Sequence, residues 1–377
     1  MARRLSKLLL ICLCLLLLSG CWDYKDLEDR TLVTAIGVDF NSGIYSLLQE
    51  IIQVRKHKAG DQEQSEVQNA LIKGQGKDLE EAENHRDYST PFPMFLGAVK
   101  VVILGQGLLQ KSMEPYLNRI NRLTDYRKTT LMVASREQPE KVLKVKVKNE
   151  VSAGFMIEDI INQMRQIGIG LYTTTGDIIS ASASGEEGYV IPYIGLEDDT
   201  VQYLGLAVLK DYKLVGIMDA KDSQAAVYLL AQKPKLKLSI PHPKDENNLL
   251  SLVMRVKNRN IKSDYVDEKV EITINLAIDA ELRYEYKIEP LSDEELSKLK
   301  DSLSQEVEKE ILKVINDTQE KYQSDIFHFV RYFRAKNPEI YKEKSWQDEY
   351  PLANINVQVK TNLRDMNLFD PNAKKKY

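Results

Sequence analysis

The rhythm of apolar and polar positions changes several times along the chain. An unbroken apolar run, Leu8 to Leu18, comes first, and alternation follows. Thr31 to Asp39 and Ile44 to Arg55 alternate around Asn41-Ser42-Gly43, which predicts strand, turn, strand. Residues 56–69 are polar without a period, so a loop is expected there. Gly74-Gln75-Gly76 precedes a Glu-rich helix over Lys77–Tyr88. Val99–Leu104, between Gly97 and Gly105, reads as a short buried strand. A helix is predicted over Ser112–Leu123, with Ser112 as N-cap and Tyr116, Ile120 and Leu123 at helical spacing. Thr129–Ala134 is a further strand, and Pro139 suits the first turn of a helix running toward Lys148. Phe155–Ile167 predicts a helix with Met156, Ile160, Met164 and Ile167 on one face and Gly168 as its stop. This order of strands and helices argues for an α/β layer unit.

Residues 173–200 read as loop, and the main domain boundary is placed near Leu196–Thr200. Val201–Leu209 and Leu214–Met218 flank a polar turn and predict a hairpin. Asp222 is expected to cap a short helix to Gln232, after which Pro234, Pro241 and Pro243 interrupt the chain. Leu249–Val256 and Val270–Tyr286 are β-rich, and Ile272, Ile274, Leu276 and Ile278 mark a half-buried strand. Ser292 and Glu295 form a capping box for a long helix reaching about Tyr322. Its stripe of Leu296, Leu299, Leu303, Val307, Ile311 and Ile315 suits a helix covering its own sheet better than one docking on a partner. A second helix over Asp325–Ala335 and a last strand over Ile355–Val359 complete the pattern. The expected fold class is α+β and multi-domain: a mixed α/β N-terminal region, then a β-rich C-terminal domain with a long amphipathic helix.

Charge at the chain start changes the reading of the first apolar run. Arg3, Arg4 and Lys7 precede it, and Leu18-Ser19-Gly20-Cys21 follows. This is the layout of a secretory signal peptide. The run is too short to cross a bilayer, which takes roughly 20 apolar residues. The ending resembles the lipobox of bacterial lipoproteins, which implies that Cys21 is the lipidation site, an N-palmitoyl and S-diacylglycerol cysteine. The domains expected are therefore 1–20 as signal, 21–198 as N-terminal domain with a subdivision near 150, 199–368 as C-terminal domain, and 369–377 as tail. Removal of residues 1–20 takes Arg3, Arg4 and Lys7 from the 52 basic side chains, leaving 49 against 56 acidic ones, a charge of −7. Such a body does not suit nucleic acid, which needs a positive footprint. Lys374-Lys375-Lys376 reads as a solvated terminus. Of the three cysteines, Cys12 and Cys14 leave with the signal, so Cys21 is the single thiol of the mature chain. A cysteine nucleophile, a cysteine-ligated metal and a disulfide are excluded.

Little else carries chemistry. His57, His85, His242 and His328 lack metal-ligand spacing, and no metal or cofactor is expected. Gly74-Gln75-Gly76-Lys77 lacks the spacing of a phosphate loop. No serine-nucleophile motif occurs, and no carboxylate pair stands out.

Several short motifs carry a likeness in their order and spacing. They include Gly20-Cys21-Trp22-Asp23, Leu27-Glu28, Ala35-Ile36-Gly37-Val38-Asp39, and Gly74 through Ala82. Lys100-Val101-Val102-Ile103-Leu104-Gly105 and Glu114-Pro115-Tyr116-Leu117 follow. Gly205-Leu206-Ala207-Val208, Lys213-Leu214-Val215-Gly216, Asp325-Ile326-Phe327 with Arg331-Tyr332, Asn337-Pro338, Trp346 and Val357-Gln358-Val359-Lys360 extend it to the end. Together they resemble the Ger(x)C spore-germination lipoproteins, the C subunits of nutrient germinant receptors. The chain departs from that pattern at Thr361–Met366, where the family has a basic residue and a glycine. The resemblance implies a non-enzymatic, lipid-anchored subunit on the outer face of the inner spore membrane, working with integral-membrane A and B subunits. It supplies no catalytic residue, and it assigns no nutrient ligand to this subunit. Two alternatives are weighed against it: a solute-binding lipoprotein of a membrane transporter, and an envelope hydrolase using paired carboxylates.

Overall fold

The structure, a computed structural model, describes residues 30–59, 62–147, 150–185, 188–287 and 291–364. The signal run, Cys21, the motif residues through Glu28, Asp365-Met366 and the lysine tail lie outside the described residues.

Strand β1 (Thr31–Asn41) is buried along almost its whole length, on both faces. It is therefore an interior strand. On one side it pairs antiparallel with β2 (Ile44–Ala59), which pairs in turn with β3 (Gln62–Gly76). The loop expected over residues 56–69 is instead the far end of this hairpin. The register sets Arg55 opposite Glu66 and Lys58 opposite Glu63. Backbone pairing alone satisfies the peptide groups there, so no apolar alternation marks it.

On its other side β1 pairs parallel with the two-residue β4 (Met94–Phe95) and with β5 (Val101–Leu104). Next come β6 (Leu131–Ser135), β7 (Gly188–Glu197), β8 (Thr200–Lys210) and β9 (Lys213–Asp219), in a nine-stranded mixed sheet. Residues 173–200 are thus not loop: a helix and β7 occupy them. Pairing of β7 with β6 begins at Tyr193, one residue after Pro192, so the missing N–H breaks no ladder bond to β6. The expected boundary falls on the Asp198-Asp199 turn between β7 and β8, within the sheet.

Helices cover both faces. α1 (Leu79–Asp87), α2 (Gln106–Lys111) and α3 (Glu114–Arg122) pack on one. Ser112 does not start a single helix. It lies between α2 and α3, and its Oγ accepts from the Glu114 N–H at 3.1 Å. α4 (Pro139–Leu143) and α5 (Ala153–Gln166) pack on the opposite face. α4 stops well short of Lys148. The fully buried stripe of α5 is Ala153, Gly154, Ile157 and Ile161, while Met156, Ile160, Met164 and Ile167 are half-buried. Glycine at 154 lets α5 lie against the Thr34 carbonyl, and this close approach sets which face turns inward. α6 (Thr175–Ala183) leads into β7 behind a Thr174–Asp177 capping box.

α7 (Ala220–Leu230) is capped by Asp219, whose carboxylate accepts from the Asp222 N–H at 2.8 Å. Asp222 is therefore the third residue of the helix, not its cap. The second sheet has the order β10 (Lys235–His242), β11 (Asp245–Val266), β12 (Lys269–Glu285), β13 (Asn354–Arg364). Pro241 lies inside the edge strand β10 rather than ending it. Along β12, Val270, Ile272, Ile274, Leu276 and Ile278 are buried in strict alternation, as the pattern predicts. α8 (Asp293–Asn316) covers that face through Leu299, Leu303, Val307, Ile311, Val314 and Ile315, and its Ser292–Glu295 capping box forms. The long helix does not stay α to Tyr322, because Asp317–Lys321 widens into a π turn. β13 then returns parallel to β12.

One face of β7–β9 joins each core. Val190, Leu206, Val208 and Met218 pack with the second sheet, and Tyr189, Ile191, Ala207 and Leu209 pack with α1–α3. The fold is α+β in two domains.

Candidate functional site

The motif residues are best understood from what each touches. Asp39 is buried at the end of β1. Its carboxylate accepts from the Leu108 N–H at 3.2 Å, the Phe40 N–H at 2.8 Å and Asn41 Nδ2 at 2.8 Å. A Cβ on Gly105 would overlap this carboxylate. The Ala-Ile-Gly-Val-Asp and Val-Val-Ile-Leu-Gly motifs are thus two halves of one lock, fixing the start of α2 against β1.

Glu50 is a second buried carboxylate, on β2. It accepts from the Ala153 N–H at 2.7 Å, the Gly154 N–H at 3.0 Å and Thr34 Oγ1 at 2.8 Å. It therefore caps α5 from across the sheet, beside the local cap Ser152. Sequence reasoning passed over it. The available signal was an acid inside the apolar run Ile44–Val54, which burial forces into a polar partnership.

Gly74 belongs to packing, not to a phosphate loop. A Cβ there would overlap the Ala82 carbonyl of α1, so the helix lies directly on the end of β3. The Lys77 N–H donates to Glu81 Oε2 at 2.7 Å, and Asp78 caps α1. His85 is occupied as well, with Nδ1 accepting from the Gln75 N–H at 3.1 Å.

Asp325 organises the C-terminal motif. It accepts from the Phe329 and Val330 N–H groups at 3.0 and 2.9 Å and from Trp346 Nε1 at 3.0 Å. Helix α9 (Phe329–Lys336) thus begins four residues after Asp325, past a left-handed His328 with φ of 57°. Phe329, Phe333, Trp346 and Tyr350 stack in a chain of rings. The π turn supplies Thr318, whose Oγ1 meets the Tyr350 hydroxyl at 2.6 Å, and Gln319, whose Nε2 donates to the Tyr350 and Ala353 carbonyls at 2.9 Å.

A cleft of ≈ 910 Å³ opens between the two sheets, lined among others by Arg165, Tyr172, Asp177, Tyr189 and Lys235. Two of its polar groups are engaged within the protein. Tyr172 donates to Glu158 at 2.9 Å, and Asp177 serves the capping box of α6. Burial, with Glu158 beside it, holds the Tyr172 phenol well above its ordinary range, so it stays neutral. Among the described residues no three His, Cys, Asp or Glu side chains group as metal ligands. His242 Nδ1 accepts from the Lys244 N–H at 3.1 Å. The polar clusters around Asp39, Glu50 and Asp325 hold elements of the fold together.

Comparison with known proteins fits this picture. Residues 23–196 match the family described as spore germination protein N-terminal domain. Residues 204–367 match spore germination B3/GerAC like, C-terminal. In Bacillus subtilis (strain 168), spore germination protein YndF is 19% identical over 391 residues, covering 96% of each chain. Spore germination protein KC is 23% identical over 410 residues, covering 97% of this chain and 96% of that one. Spore germination protein B3 is 22% identical over 354 residues, covering 91% and 93%. The crystal structure of the GerBC protein superposes with a TM-score of 0.57 at 17% identity, over 88% of this chain and 97% of that one, which establishes the shared fold. With both halves matched in order, the chain belongs to the GerAC-like family of spore germination proteins.

Proposed function

We propose that this protein is a lipid-anchored, non-enzymatic subunit of a spore nutrient germinant receptor, acting with integral-membrane A and B subunits. It would be held at Cys21 on the extracytoplasmic face of the inner spore membrane. The observation that carries the reading is family membership over both domains, downstream of a signal run that ends in Leu-Ser-Gly-Cys. No helix among the described residues is long and apolar enough to cross a membrane. A diacylglyceryl group supplies two chains, enough for stable anchoring where one acyl chain binds only marginally. The solute-binding alternative is not favoured, because such proteins pair two similar lobes. Here a nine-stranded mixed sheet stands beside an unlike four-stranded one.

Cys21→Ala tests the reading. The variant should lose the lipid mass on its N-terminal peptide, leave the membrane fraction, and no longer co-purify membrane proteins from spores. A variant that keeps full membrane retention after the partner subunits are deleted overturns the anchor.

A further inference from the structure

We propose that the rim of the N-terminal sheet at Thr31, carrying Phe92 and Leu123, rests against the lipid bilayer. This rests on the Cys21 anchor reading and adds which end of the body faces the lipid. Two exposed apolar side chains mark this end: Phe92 at 46% and Leu123 at 39%. Phe92 adjoins the first described strand, since the Thr31 N–H donates to the Pro93 carbonyl at 3.0 Å and Thr31 Oγ1 to the Phe92 carbonyl at 3.5 Å. Leu123 is the C-cap of α3, which lies between the parallel strands β5 and β6. A crossover helix runs opposite to its strands, so its C-terminus shares the end at which they begin.

The tether selects the pose. Eight residues lie between Cys21 and Arg30, and the nine Cα–Cα steps across them reach at most about 32 Å. β1 is about 35 Å long by its residue count. A body standing on its Asn41 end would hold Arg30 beyond the tether's reach. Standing on the Thr31 end satisfies the tether at any extension. Exposed Arg122, Asp125 and Arg127 lie beside Leu123 in the chain, and Arg30 adjoins Thr31. Contact would come from aromatic and apolar groups at the headgroup level, where such rings are favoured.

With Cys21 acylated, a cysteine introduced anywhere else is the only free thiol of the mature chain, so each site can be labelled singly. The full acylated chain carrying Phe92→Cys, Leu123→Cys or Ser42→Cys is labelled with an environment-sensitive fluorophore and bound to phosphatidylglycerol vesicles. Labels at 92 and 123 should shift to the blue and lose emission when doxyl lipid is added, and the label at 42 should do neither. Unchanged labels at 92 and 123 on vesicle-bound, acylated protein overturn the proposed orientation while leaving the anchor intact, as does quenching at 42. Protein that carries no acyl mass and fails to float with vesicles overturns the anchor reading instead, and this proposal with it.

Discussion

Replacing Glu50 by Gln tests the cross-sheet cap on α5 with almost no change of shape. Glu50 gives two backbone N–H groups and one hydroxyl an ionised acceptor. Hydrogen bonds to charged groups contribute about 1.5–3 kcal/mol each, net of solvation. Gln keeps one acceptor oxygen, so one of these donors meets an NH₂ group in its place. The helix N-terminus also loses an anion worth up to about 2 kcal/mol where burial is partial. Relief of carboxylate desolvation offsets part of this. The expected net loss is about 2 kcal/mol, against ~1 kcal/mol for Ser152→Ala at the adjacent local cap. Urea unfolding followed by far-UV circular dichroism, with the slope compared between variants, reads the difference. Hydrogen exchange should show the loss concentrated in the first turn of α5. If Glu50→Gln unfolds within about 0.5 kcal/mol of the parent, the range of an ordinary surface change, the carboxylate does not hold the helix and the reasoning is refuted.

Further outcomes are expected. Gly74→Ala should cost about 1–3 kcal/mol, because the new methyl group must push α1 off β3; faster hydrogen exchange in Leu79–Asp87 would report it. Trp346→Phe keeps the ring stack but removes the donor to Asp325, so a loss of about 1–3 kcal/mol in urea unfolding is expected, without loss of the far-UV spectrum. Hydrogen bonds from Lys144 and Lys73 hold the Glu140 carboxyl at about 2, below its ordinary 4.5. A depressed folded-state value means its contribution is present above 4.5 and disappears as pH falls toward 2. Glu140→Gln should therefore flatten the acid limb of a stability–pH curve and leave its neutral limb parallel to the parent's.

Elements with a strong period were legible from sequence. The alternation of β12, the stripe of α8 and the Ser292–Glu295 capping box each state a local requirement that the fold then meets. What escaped was set by distant partners. The 56–69 hairpin arm has no apolar code, because backbone pairing alone defines it. β7 reads as loop because Pro192 and the glycines hide a strand whose neighbours fall on both sides of it. Helix starts are displaced from the sequence reading, by three residues for the cap of α7, Asp219 instead of Asp222, and by four for α9, which begins at Phe329 instead of Asp325, since an aspartate's reach becomes visible only when the turn is folded. The motif residues were noticed, but not their pairing. Nothing in sequence says that Asp39 and Gly105 touch, although each looks plain alone.

The β7–β8 ladder has a mechanical consequence. It joins a strand of the N-terminal match to one that enters the C-terminal match at Leu204, through ten residue pairs from Gly188–Lys210 to Glu197–Thr200. A pull on one domain therefore loads these bonds side by side, in shear, and must break several at once. The 198–199 turn cannot serve as a pivot. The stretch between α7 and β10 is pinned as well, since Arg259 donates to the Tyr228 and Ala231 carbonyls at 3.1 and 3.2 Å. A displacement imposed at the Thr31 end would travel through the nine-stranded sheet as through a beam and reach the second domain through the face of β7–β9 that packs on it.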